Sequence, residues 1–203
     1  MGLYPMNPRA GQLMQTDAAG VRVDRGFLAH YQVADALATA ASTTGIHAAV
    51  TDNSAQQVIT TGITQPSVTR NVTATAGGTA ADIKAVQVIV TGTNMNGDVI
   101  IETLPAFTVN TAGSVAGSLA FKTVTSITIP AHDGNEATTA VGFGEVLGLP
   151  HKLAHNTVLA AYLDNAKQAT APTVAVSGTV LDANTFDLDS ALDSKVVDVY
   201  YIV

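Results

Sequence analysis

Hydrophobic and polar positions alternate along most of this chain in short runs. Between Ile83 and Thr93, Val86, Val88 and Val90 fall on one face while Gln87 and Thr91 fall on the other. That two-residue period is the mark of a half-buried strand. Asn94-Met95-Asn96-Gly97-Asp98 follows, and then Val99–Leu104 repeats the apolar pattern. Asn96-Gly97 is a pair that tolerates positive φ at both centres of a type I′ turn, so the stretch predicts a β-hairpin closed there. Pro105 ends its second strand or marks an edge. Similar short runs occur at Ile46–Val50, Val58–Thr61, Ser67–Ala76, Phe107–Asn110, Ala120–Ile129, Thr138–Phe143, Val158–Leu163, Thr173–Val180 and Thr185–Leu188. Gly144–Leu153 reads as an irregular connection and Leu181–Asn184 as a short crossing. Lys195–Val203 is a final apolar strand that must pair within a sheet or across a subunit boundary, because unpaired it would be a sticky edge.

Two N-terminal stretches break this pattern. From Arg25 to Ala41, Phe27, Leu28, Tyr31, Ala34 and Leu37 recur at three-to-four spacing in an alanine-rich setting. This predicts one short helix, stopped by Ser42-Thr43-Thr44-Gly45. Before it, Met1–Asp24 reads as an extended arm. Pro5 and Pro8 exclude a regular helix there, and Gly2, Gly11 and Gly20 loosen the chain. Leu3, Tyr4, Met6, Leu13 and Met14 make the arm more apolar than disordered tails usually are, so they are the candidate interface residues. The expected fold is therefore mainly β. Residues 46–203 form a β-sandwich or barrel-like domain, and residues 1–45 form the arm and the helix.

Composition narrows the functional classes. Hydrophobic residues make up 47% of the 203 positions and aromatic residues 5%, with no Trp. Charged residues are 12%, roughly half the usual share of about 25%. So little charge on a chain rich in Thr, Ala and Val implies a surface partly covered by partners. The formal net charge is −7, and the Lys and Arg residues are scattered singly, which argues against direct nucleic-acid binding. No charged-then-apolar leader and no long apolar run is present, so neither a signal peptide nor a membrane span is expected. Cysteine is absent, which excludes disulfides and thiolate metal sites and agrees with assembly in a cytosol.

The candidate chemistry is thin. His151 and His155 are four apart, but Lys152, Leu153 and Ala154 separate them without the glutamate of a metalloprotease helix. They read as loop-packing or exposed histidines. Asp182, Asp187, Asp189 and Asp193 lack the spacing of a calcium loop. Phe186 and Leu188 alternate with Asp187 and Asp189 as in a strand whose carboxylates face water. His132-Asp133-Gly134-Asn135-Glu136 reads as a turn. Gly142-Phe143-Gly144 reads as a place where backbone passes close to a neighbour. No Gly-x-Ser-x-Gly elbow and no phosphate loop occurs. No catalytic, cofactor-binding or metal residue is assigned, and an enzyme is not expected.

One resemblance stands beside this reading. Arg70-Asn-Val-Thr-Ala-Thr-Ala-Gly-Gly-Thr-Ala-Ala-Asp-Ile-Lys84, Val90-Thr-Gly-Thr-Asn94, Glu102-Thr-Leu-Pro105, Ile127-Thr-Ile-Pro-Ala-His-Asp-Gly134 and Gly142-Phe-Gly-Glu-Val-Leu-Gly-Leu-Pro150 resemble structural proteins of tailed-bacteriophage virions. The similarity is one of strands and turns and carries no catalytic signature. It implies a capsid decoration (cement) protein on the head exterior, a homotrimer or other homo-oligomer bound to the major capsid protein and assembled in the host cytoplasm. A tail-tube or head–tail connector subunit is the alternative station. A carbohydrate-binding module of a host-recognition spike is a further alternative, disfavoured by the lack of Trp.

Overall fold

The computed structural model describes residues 26–203 and, before them, the backbone of two short strands. In chain order the strands are β1 (Met14–Gln15), β2 (Arg22–Val23), β3 (Leu28–Val33), β4 (Ser42–Thr51), β5 (Gln57–Ile59), β6 (Arg70–Gly78), β7 (Ile89–Thr93) and β8 (Val99–Thr103). They continue with β9 (Gly113–Phe121), β10 (Thr123–Ile129), β11 (Ala137–Gly148), β12 (Val158–Leu163), β13 (Ala166–Lys167), β14 (Thr173–Ala175), β15 (Thr185–Asp187) and β16 (Val197–Ile202). The one helical element among the described residues is a single 3₁₀ turn at Ala80–Asp82. The protein is mainly β, as expected. No helix among the described residues is long and apolar enough to cross a membrane.

Every strand pairing is antiparallel. One sheet runs β5-β10-β7-β8, a second runs β14-β15-β11-β6-β9 with β4 also on β11, and a third runs β13-β12-β16-β3. Two apolar cores result. The first gathers Val72 and Ala74 of β6, Val90 of β7, Ile100 of β8, Ile127 of β10 and Val141 of β11. The second gathers Val33 of β3, Leu147 of β11, Ala161 of β12, Phe186 of β15, and Val199 and Tyr201 of β16. Each Val, Leu, Ile or Phe among them contributes about 1.5–3 kcal/mol when fully buried, and each alanine methyl about 0.8 kcal/mol. β11 serves both cores: its first half lies on β4 and β6, while Leu147 and Gly148 pair with β15. Between Phe143 and Leu147 the ladder with β6 slips, and this irregularity marks the passage from one core to the other.

The helix expected over Arg25–Ala41 does not form. Leu28–Val33 is β3, paired residue for residue with β16 from Leu28–Ile202 to Val33–Val197. Ala29 and Tyr31 pack against the second core and Val33 is buried in it, while Leu28, His30 and Gln32 face outward. A two-residue period was present, concealed by an equally good helical spacing. Helix propensities differ by tenths of a kcal/mol per residue, too little to outweigh a full ladder and a buried face. What remains of the helix is one turn, in which the Leu37 and Ala38 N–H groups donate to Ala34 O at 2.9 and 3.0 Å.

The expected hairpin is present as β7–β8, from Ile89–Thr103 to Thr93–Val99. Its turn differs from the type I′ expectation. Gly97 alone of the turn has positive φ (90°). Asn94 N–H donates to Asp98 O at 2.9 Å, and Asn94 Oδ1 accepts from the Asn96 and Asp98 N–H groups, each at 3.0 Å. This is a three-residue loop with its left-handed residue at glycine. The successive positive-φ pair of a type I′ turn falls instead at Asp164 (54°) and Asn165 (65°), between β12 and β13. The final strand β16 lies inside its sheet, between β12 and β3.

Candidate interaction surfaces

Three regions concentrate side chains that the fold does not consume. The first lies along β8, which ladders with β7 alone and meets β9 only through Glu102, whose carboxylate accepts from the Ser118 and Leu119 N–H groups. Val99 and Ile101 project from it with 73% and 63% of their surface exposed. They border an open hollow of about 340 Å³ with Leu119, Val180 and Asp182. The second lies at the end of the third sheet. Leu28 of the free edge strand β3 is 65% exposed and stands opposite the exposed Ile202. Phe27 and Val203, also exposed, exchange backbone hydrogen bonds at 3.0 and 2.9 Å. Gly26, Leu153, His155, Thr157, Ile202 and Val203 line a hollow of about 250 Å³ there. Lys152 lies on the rim of both hollows, so the two apolar regions adjoin on one side of the molecule.

The third region is the outward face of the third sheet. His30 and Tyr200 stack with ring centres 4.5 Å apart, and Tyr162 meets Tyr200 at 84°. Asp198 Oδ1 accepts from His30 Nε2 at 2.6 Å and from Gln32 Nε2 at 2.8 Å. A carboxylate can only accept, so His30 carries its proton on Nε2 in this contact. The strand registers explain the grouping, since His30 stands opposite Tyr200 while Gln32 and Tyr162 flank Asp198.

Comparison with family models, with curated proteins and with solved structures finds no match.

Of the expected interface residues, Leu3, Tyr4, Met6 and Leu13 lie outside the described residues. Met14 pairs through its backbone with Val23, and its side chain lies outside the description too. The arm over Met1–Asp24 therefore remains an expectation.

The other singled-out residues fall into structural roles. His151 sits on no helix; its Nδ1 hydrogen-bonds Tyr201 Oη at 2.7 Å, which packs a loop onto the second core. His155 lines the apolar hollow. No group of three metal-ligand side chains converges among the described residues. His132 is buried. Its Nδ1 accepts from Lys84 N–H at 3.2 Å, so Nε2 carries the proton and donates to Thr139 Oγ1 at 3.0 Å. Burial pushes its pKa below the ordinary histidine value, against the pull of Asp52 and Asp133. The stretch after it forms the expected turn, held by Asp82 Oδ2 accepting from Glu136 N–H at 3.1 Å. Phe186 and Leu188 are buried and Asp189 is exposed, as the alternation required. Asp187 is half-buried, and desolvation with Glu145 nearby raises its pKa. Asp182 is buried and receives Asn94 Nδ2 at 3.4 Å. At Gly142 a Cβ would overlap the carbonyl oxygen of Ser42, and at Gly144 it would run into Asn71, so both glycines permit close approach as expected.

Two buried polar residues carried no signal in the sequence. Arg70, fully buried, donates from Nη1 to Thr39 Oγ1 at 3.1 Å and from Nη2 to Thr39 O at 2.8 Å. Its guanidinium carbon lies 4.6 Å above the Phe143 ring. Desolvation lowers its pKa to about 10, with Glu145 pulling the other way. Asn184 joins three segments. Its Oδ1 accepts from Leu153 and Ser177 N–H groups at 2.9 Å each, and its Nδ2 donates to Ser177 O at 2.9 Å and Val180 O at 2.7 Å. Both residues could have been suspected only as polar residues inside apolar runs.

Proposed function

We propose that this chain is a structural subunit of a bacteriophage particle. In this reading it is a decoration protein whose sheets pack as a sandwich and whose adjoining apolar regions seat on the major capsid protein and on further copies of itself. The observation that carries the proposal is the side of the molecule centred on Lys152. There the edge strand β8 and the end of the third sheet together expose Val99, Ile101, Phe27, Leu28, Ile202 and Val203. Contiguous exposed apolar residues mark association surfaces. An edge strand bordered by them also offers backbone donors and acceptors to a partner. The resemblance over Arg70–Pro150 supports the same reading; it covers the strands β6 to β11, most of them in the first core. In the particle each contact can be modest, because many copies engage one shell together.

Cryo-electron microscopy of the virion that carries this protein tests the proposal. Density for the chain on the outer face of the head, with β8 and Ile202 against neighbouring subunits, is the expected result. Density in the neck or tail would move the protein to the tube or connector. Its absence from the particle would overturn the reading.

A further inference from the structure

We infer that the outward face of the third sheet holds a binding site for an alkylammonium group, formed by Tyr162, Tyr200, Asp198 and Asn165. These four residues line one hollow of about 230 Å³. The two tyrosine rings stand at 84° with centres 5.9 Å apart, so they form two walls meeting at a corner. Asp198 stands opposite Tyr162 in the ladder and two residues before Tyr200, and its residue surface is 7% exposed. His30 and Gln32 both donate to its Oδ1, and among the described residues Oδ2 has no hydrogen-bond partner. Asn165 reaches the hollow from the second position of the tight turn after β12, at φ 65°.

The chemistry of the lining decides the ligand class. An aromatic ring presents a negative face, and a cation near that face gains most where water is partly excluded. In this recess the Tyr162 ring and the side of Tyr200 that His30 leaves uncovered stand beside a carboxylate with a spare oxygen, in a chain whose formal charge is −7. Among the described residues, the one basic side chain that pairs with Asp198 is His30, through Oδ1. The ion pairs among the described residues are His30–Asp198, Lys84–Asp133 and Lys195–Asp193. Lys167, opposite Tyr162 on β13, pairs with none of the acids. A sugar suits the recess less well. His30 covers one face of Tyr200 and the second ring is perpendicular, so no flat platform is offered. The inference is independent of the particle reading, because the recess holds a cation whatever the station of the chain.

The test is an NMR titration of the full chain with choline, with Nα-acetyl-lysine amide and, as a neutral control, with methyl galactoside. Saturable shifts confined to Tyr162, Tyr200 and Asn165 are expected with the two ammonium compounds. Choline binding more tightly points to a small quaternary amine or headgroup; the lysine amide binding more tightly points to a lysine from a partner chain. Asp198→Asn keeps the side-chain shape and should weaken binding about tenfold or more, the loss expected when a partly desolvated cation loses its countercharge. Tyr162→Ala should weaken it comparably, whereas Tyr162→Phe keeps the ring and should stay within about twofold. Thermal melts by circular dichroism establish that each variant is folded. The inference fails if neither ammonium compound gives a saturable shift, if methyl galactoside binds instead, or if Tyr162→Phe loses as much as Tyr162→Ala.

Discussion

The two cores are built by different means. Around the first, apolar residues at alternate positions of β6, β7, β10 and β11 meet, and continuous ladders carry most of the backbone hydrogen bonds. Around the second, β14 and β15 are three residues each, and loops supply much of the wall. β3, β12 and β16 keep their ladders there, but the loop backbone is satisfied by side chains, above all Asn184. A ladder spreads its hydrogen bonds over many residues, so losing one is tolerable. A hub concentrates them, so losing it leaves several buried groups unpaired together. The loop wall of the second core therefore depends on Asn184 more heavily than a ladder depends on any one of its bonds. It also depends on Asn184 more than the first core depends on Glu102 or Gln65, which hold fewer segments.

The sharpest way to break this contrast is Asn184→Ala. It removes the partner of the Leu153 and Ser177 N–H groups and of the Ser177, Val180 and Leu181 carbonyls. With about 1–3 kcal/mol for the buried Leu153 N–H and less for the part-buried groups that water can reach, the expected loss is about 2–4 kcal/mol, read by urea unfolding. A loss under about 1 kcal/mol would mean that the loops repack and that the hub is redundant. In the first core the comparable point is Gly142, where β4 crosses β11. Gly142→Ala sets a methyl group against Ser42 O, with an expected cost of about 1–3 kcal/mol as the ladder shifts. If it costs more than Asn184→Ala, the contrast is reversed.

The smallest expected effect is one of pH. The folded state holds His132 below its ordinary value, so the unfolded chain takes up the proton first. The stability it supports is complete above about 6.5 and falls away as pH drops below that value, continuing down through the folded pKa. Urea midpoints at neutral and mildly acidic pH should converge in His132→Gln relative to the parent. An unchanged difference would assign the acid sensitivity elsewhere.

The same contrast explains what the sequence disclosed. Val86, Val88 and Val90 alternate within one strand region, and Asn96-Gly97 lies between two such runs, so the β7–β8 hairpin was legible from neighbours in the chain. Its turn type was not, because Asn94 takes the loop over through its side chain. β3 was misread because alanine-rich spacing fits two periods, and its partner lies at the far end of the chain. The roles of Arg70 and Asn184 could not be read, since their partners Thr39, Leu153 and Ser177 come from other segments. The same holds for the Tyr162, Tyr200 and Asp198 recess, which exists only once β12, β16 and β3 are side by side. The apolar runs containing Val99, Ile101 and Ile202 were visible as strands, but which of their faces stays uncovered depends on where the sheets end.

The place of β16 between β12 and β3 bears on how the molecule is made. His30 and Asp198 are neighbours in the sheet yet 168 positions apart in the chain. At about 5–20 residues per second, a ribosome takes on the order of ten seconds or more to deliver the partner that β3 requires. During that interval β3 is an apolar strand with no ladder, next to β4 and β6, whose own partner β11 arrives sooner. The first core can therefore close before β16 is made, and the second can close only when β16 is threaded between β12 and β3. Such late, non-local closure is slow, and until β16 arrives β3 is exposed to pairing with the wrong copy of the chain.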